Sequence, residues 1–349
     1  MIARRFHLRG TQSPGRRIAI GVWLVLSAAP EAALAHGGVA ISPERWWAAW
    51  NGDPVVLLNL ALVSWLYVQG WRRLFAKAGR SRPALRRRAV AFALGIAAVV
   101  AALVSPLDAL SDQLSAAHMV QHMLLMQIAA PLLVLAAPGR VLPWSFDRSA
   151  LETFSCWRLR LAIGASRAGL GRPLLVWMLF AVTLWLWHWP GLYQAALRRP
   201  VIHDLQHLAF FATACLFWRV LFVPGLGRGL SLGMGVMYLF TTSLHATMLG
   251  VLMTLAPQPW YGDYLATAPR WNLTALEDQQ LAGLIMWMPG CAAYALAAIA
   301  LVVLWLQLPL ARWQPPVQLP PADARRSTEQ KQRSAPIGGL ARPALNAKG

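Results

Sequence analysis

Two short strings of this sequence could do chemistry. SAAHMVQHMLLM, residues 115–126, carries His118 and His122, and HDLQH, residues 203–207, carries His203 and His207. Histidines four apart on a helix emerge on one face, one above the other, so each string offers a pair of imidazoles to a shared partner. Neutral imidazole suits copper, zinc, iron and nickel, while thioether sulfur favours Cu(I). His188 and His245 stand in other apolar segments, and Met119, Met123, Met126 and Met248 accompany the histidines. Neither string is HExxH, which sets aside a zinc peptidase. The competing use of a buried membrane histidine is a hydrogen bond between helices, and methionine at helical spacing otherwise serves as adaptable packing.

The elements that must position these residues are membrane helices. The chain has 349 residues, of which 57% are hydrophobic and only 13% charged, too apolar for a soluble domain of this length. A formal charge of +19 invites a nucleic-acid reading, but the basic residues fall in short clusters between apolar runs, which excludes it. Apolar segments recur at Pro54 to Trp71, Ala89 to Ser105, Ser115 to Pro138, Pro173 to Trp189, Leu205 to Val223, Leu230 to Ala256 and Leu281 to Leu306. Each approaches the roughly 20 residues that cross a bilayer, predicting an all-α bundle of seven transmembrane helices. Residues 43–50, PERWWAAW, read as a short interfacial helix before the first span.

Residues 1–35 combine a basic leader, a short apolar run and ALA, the pattern of a cleaved signal peptide. Residues 36–312 then form the membrane domain, and residues 313–349, rich in Pro, Arg, Ser and Ala, a disordered cytoplasmic tail. The loop from Arg72 to Arg88 and the loop from Gly139 to Arg172 are strongly basic and therefore cytoplasmic. The alternate loops carry Asp108, Asp112, Asp204, Asp263, Glu277 and Asp278 instead. The mature amino terminus is thus expected outside and the carboxyl terminus inside, which puts all six span histidines in the outer half. Asp204 and Asp278 are candidates to orient imidazoles there. Cys156, Cys215 and Cys291 form no CxxC, so a thiol-based metal site is not supported.

Five motifs now occur in order: SPLDALSD, HMVQHMLLM, WHWPGLYQAAL followed by HDLQH, SLHATMLGVLMTLAPQPWY, and LEDQQLAGLIMWMPG. Together they resemble the CtaG-type cytochrome c oxidase assembly factors, over about Pro43 to Leu306. The resemblance implies a non-enzymatic protein of the bacterial inner membrane that helps assemble active oxidase, with a proposed role in delivering copper. It matches His118, His122, His188, His203, His207 and His245 to the family's histidines, and Asp278, Gln279 and Gln280 to its DQQ element. Its implied partners are oxidase subunits, the lipid bilayer and a copper donor on the periplasmic side. Two other functions stay open on the residues alone. A bis-histidine haem protein could use His118 or His122 with His207. A seven-helix transporter would need paired broken helices or a mid-membrane acid, and neither is evident.

Overall fold

The computed structural model describes residues 41–147, 172–223 and 230–307. The expected signal peptide and tail, and Cys156, lie outside the described residues. The chain divides into a compact unit through Val303 and a second unit, Leu304–Gly349. Of the second, only the last residues of a helix are described. Among the described residues there are helices and turns but no strand.

In order, the helices are α1 (Pro54–Lys77), α2 (Arg82–Leu103), α3 (Pro106–Ser111), α4 (Ser115–Met123), α5 (Ala130–Ala136), α6 (Pro138–Val141), α7 (Pro173–Trp187), α8 (Pro190–Arg198), α9 (Pro200–Phe222), α10 (Leu232–Thr254) and α11 (Ala275–Gln307). A π turn, Leu124–Ala129, joins α4 to α5 without a break. Local chemistry sets most starts. Proline opens many of these helices, where its missing N–H is no loss. Asp53 caps α1 by accepting from Val55 and Val56, and Ser105 caps α3 by accepting from Leu107. Thr274 and Glu277 form a reciprocal capping box at α11: the Glu277 N–H donates to the threonine hydroxyl, and the Thr274 N–H to the glutamate.

Among the described residues, five helices are long and apolar enough to cross a membrane: Pro54–Lys77, Ser115–Ser145, Pro200–Phe222, Leu232–Thr254 and Ala275–Leu304. The pair α7–α8 makes a sixth if counted as one span, bent by 72° at the break before Pro190. The predicted segment at Ala89 is helical but falls short, because Arg86, Arg87 and Arg88 occupy its first turns and it ends at Leu103. The expected interfacial helix at residues 43–50 is a single 3-10 turn, Trp46–Ala48, with Trp46, Trp47 and Trp50 exposed.

The main core gathers side chains of α4, α5 and the π turn with those of α7 to α11, among them Phe180, Phe210, Phe217, Tyr238 and Tyr294. A smaller core joins α1 and α2 to α5 and α6 through Tyr67, Phe92, Ala136 and Val141. Helices α10 and α11 cross so closely that a Cβ on Gly283 would lie 2.6 Å from the Gly250 carbonyl oxygen, so only glycine fits. The exposed side chains of the long helices are large and apolar, such as Leu58, Trp65, Phe240 and Leu296, as a lipid-facing surface requires.

Candidate metal centre

Helix α4 starts without a capping side chain of its own, since Leu114 precedes it. Asp278 of α11, 163 residues away, supplies the cap: its carboxylate accepts from the N–H groups of Ser115 at 2.6 Å and Ala116 at 3.0 Å. The expectation that Asp278 orients an imidazole is corrected by this contact. Its charge is spent on the amino terminus of the helix that carries His118, where a carboxylate is favoured by the helix dipole. One turn further, Gln121 donates to the Asp108 carboxylate at 2.7 Å and to the Ala102 carbonyl at 2.8 Å, and Asn51 donates to the other Asp108 oxygen at 2.7 Å. Gln279 ties the following loop to α11: its amide oxygen accepts from the Trp260 N–H and its NH₂ group donates to the Met253 carbonyl. Asp108 of the SPLD string and Asp278 of the DQQ string thus fasten α4, while Gln279 fastens α10 and its loop to α11.

The fastened helix faces the first turns of α9, and four imidazoles meet there. Ring centroids lie 4.3 Å apart for His118 and His122, 4.2 Å for His203 and His207, 5.3 Å for His122 and His207, and 5.3 Å for His118 and His203. Ligand nitrogens of His118, His203 and His207 lie within 4.8 Å of one another. All four side chains are buried, His118 completely. Both nitrogens of His118 and of His122 are out of contact with solvent and close no well-formed hydrogen bond. The buried Gln206 amide lies beside His118 without closing one. A neutral imidazole carries one N–H and one lone pair, and leaving such a group buried and unmatched costs about 1 to 3 kcal/mol. A metal ion accepts those lone pairs, so the donor chemistry fits one.

His188, at the end of α7, is 3% exposed, and its Nδ1 lies 2.7 Å from the Leu184 carbonyl. A carbonyl only accepts, so Nδ1 carries the proton and the lone pair sits on Nε2, which is buried without a partner. Its ring packs against Tyr193 and Phe210, the residues that also touch His118 and His122. His188 therefore borders the quartet in the tautomer of a ligand.

A roof of tyrosines covers this end. Tyr193 of α8 lies 5.1 Å from His118 and stacks on Tyr261 at 3.8 Å. Tyr261 donates to the His188 carbonyl at 3.0 Å, and Tyr264 to the Ser111 carbonyl at 3.2 Å. Burial, reinforced by Tyr193, holds both loop hydroxyls well above the ordinary phenol range, so they stay protonated donors. The tyrosines of the string QPWYGDY are thus turned into the protein, Tyr261 and Tyr264 both buried. Gln206 and the three tyrosines were not singled out from sequence. Only the place of Gln206 between two histidines could have pointed to it.

The other expected ligands have these described neighbours. His245 is half-buried, and its ring meets Trp177 of α7 at 5.3 Å rather than the quartet. Met248 is 52% exposed on the outer surface of α10. Met119 and Met126 are buried in the main core, and Met123 packs toward Gly290 of α11. The helices around α10 are apolar on every side, so spacing alone could not show which face turns inward.

The described residues, all helices and turns with several helices of bilayer length and a buried histidine quartet, define a class: a polytopic helical membrane protein. The pattern described as cytochrome c oxidase caa3 assembly factor (Caa3_CtaG) matches residues 65–308, and the chain belongs to that family. Two curated relatives, both described as uncharacterized proteins, come from Mycobacterium bovis and Mycobacterium tuberculosis. Each is 24% identical over 264 residues, covering 73% of this chain and 39% of the relative. The chain thus spans about two-fifths of the length of these relatives. No solved structure matches the chain.

Proposed function

We propose that this oxidase assembly factor is a non-enzymatic copper carrier that presents its cargo to a nascent oxidase subunit from a site between α4 and α9. The single observation that carries the reading is the quartet itself: four buried imidazoles from two helices in mutual contact, with two rings whose nitrogens are unmatched. The ligand set contains no carboxylate, so the ion's charge stays uncompensated in a buried place. Monovalent Cu(I) brings half the charge of Zn(II) and is favoured on that ground. Haem is disfavoured by geometry, because the rings touch one another and leave no slot for a flat macrocycle between two axial histidines.

The membrane arrangement belongs to the same proposal. Counting α2 and the bent α7–α8 pair as crossings gives seven spans, with the amino terminus outside and the basic loops inside. The quartet then lies on the periplasmic side of the bacterial inner membrane, beneath the tyrosine roof, on the side from which a copper donor and an oxidase subunit would approach. Cargo transfer there is a ligand exchange, in which imidazoles are replaced by those of the acceptor.

The test is copper content per folded protein after anaerobic purification. His122→Ala and His207→Ala should each lose most of the copper and most oxidase assembly while inserting at near-normal levels. An unchanged copper-to-protein ratio in both variants would overturn the reading.

A further inference from the structure

The α1–α2 hairpin, far along the chain from the histidine strings, holds the densest charge in the described residues. Eight of the seventeen residues from Arg72 to Arg88 are Arg or Lys, and none is acidic. Folding brings them together: the Trp71 indole donates to the Leu85 carbonyl at 3.1 Å, and the Tyr67 hydroxyl to the Arg88 carbonyl at 3.3 Å. The apolar part of α1 ends at Trp71 and that of α2 begins at Ala89, so both helices change from apolar to cationic at the same level. From Arg72 to Lys77 the helix rises about 8 Å, close to the roughly 5 to 8 Å of headgroup layer on one side of a bilayer.

Few of these cations are matched by anions. Arg73 donates to the Trp144 and Ser145 carbonyls and lies 3.9 Å from the exposed Asp147. Lys77 rests over the Trp144 ring at 5.2 Å, and Arg82 and Arg86 over Phe75 at 5.4 and 5.8 Å. Aromatic faces, not carboxylates, thus fix several of the charged heads. Arg72, Arg80, Arg86 and Arg87 are exposed and pair with no carboxylate among the described residues. Directly beside them Val68, Val90 and Leu94 are about half exposed, giving an apolar surface that continues from the cations into the hydrocarbon level.

We propose that this hairpin is a binding site for acidic phospholipid, with arginine forks on the phosphate and the flanking aliphatic side chains on the acyl chains. The guanidinium geometry matches a phosphate bidentately, and the apolar strip distinguishes a lipid from a free anion. Clustering the charges here costs self-repulsion in a neutral bilayer, which a bound anionic lipid removes.

The experiment uses the full-length protein in neutral detergent, titrated separately with phosphatidylglycerol, phosphatidylcholine and inorganic phosphate. Retained lipid is counted by native mass spectrometry and thermal unfolding is followed in parallel. Phosphatidylglycerol should bind and raise the Tm, and the other two should not. The Arg72→Gln/Arg86→Gln/Arg87→Gln variant should lose about 100-fold in phosphatidylglycerol affinity while keeping the wild-type Tm in phosphatidylcholine. Should that variant not accumulate, Arg72→Gln alone should lose about fivefold. Equal affinity for the two lipids, an undiminished affinity in both variants, or the same stabilisation by inorganic phosphate overturns the proposal. So does a lipid-indifferent protein whose variants lose a co-purifying oxidase subunit, which would make the face a protein contact.

Discussion

Helix α4 holds two kinds of buried polar group within nine residues. At its amino terminus and along the Gln121 side, donors meet acceptors: both Asp278 oxygens cap the first turn, and Gln121 reaches Asp108 and Ala102. On the face toward α9, His118 and His122 present four ring nitrogens with no well-formed hydrogen bond. Polar groups that are matched inside the protein hold the fold. Polar groups that are buried, clustered and unmatched are, on the function proposed above, held for an ion the chain itself does not contain.

Predictions follow from that contrast, and the matched set should show the largest effect on stability. Asp278→Ala leaves two helix N–H groups without their acceptor and should destabilise the protein by about 3 to 5 kcal/mol, read as reduced abundance and a lower Tm. If the variant keeps wild-type stability, the cap is not what holds α4. Next, His118→Leu should lower copper per folded protein at least tenfold while shifting stability by less than about 1 kcal/mol, because an apolar side chain replaces unmatched nitrogens. A stability loss as large as that of Asp278→Ala would erase the difference between the two sets. With no effect on copper stoichiometry, Tyr261→Phe removes one buried hydrogen bond to the His188 carbonyl and should cost about 1 kcal/mol. Smallest of all, His245→Leu and Met248→Leu should leave copper stoichiometry unchanged, since neither side chain reaches the quartet. A copper loss in either would redraw the boundary of the site.

The two histidine pairs were legible because their partnership is local: a spacing of four places both rings on one face whatever the helix packs against. That the faces of α4 and α9 meet was an inference from shared depth, and the ring distances bear it out. The placement of His245 was not legible. In a soluble helix the polar face shows which side is outward, but here lipid and core are both apolar, so α10 gives no such phase. The outward placement of Met248 was hidden for the same reason. The cap from Asp278 joins residues 163 apart, and nothing near Ser115 announces it. The family's motif strings were recognisable in order, yet the distinction within them between fasteners and the histidines of the quartet needed the geometry. Helix starts at proline were readable, whereas the 72° turn at α7–α8 falls just past the end of the segment Pro173 to Trp189 and was not.

The π turn at Leu124–Ala129 has a consequence in angular register. In an uninterrupted α-helix, positions four apart advance by about 40° per step, so a row of groups spirals away from any one neighbour. A π turn takes in more residues per revolution and winds that row back. The Met126 carbonyl, inside the turn, accepts from the Trp218 indole of α9 at 2.9 Å. His118, His122 and this carbonyl therefore address the same helix over about 12 Å of rise. Deleting one residue from the turn would restore plain α winding there, so the row would again drift by about 40° per step and a different carbonyl would face the Trp218 indole.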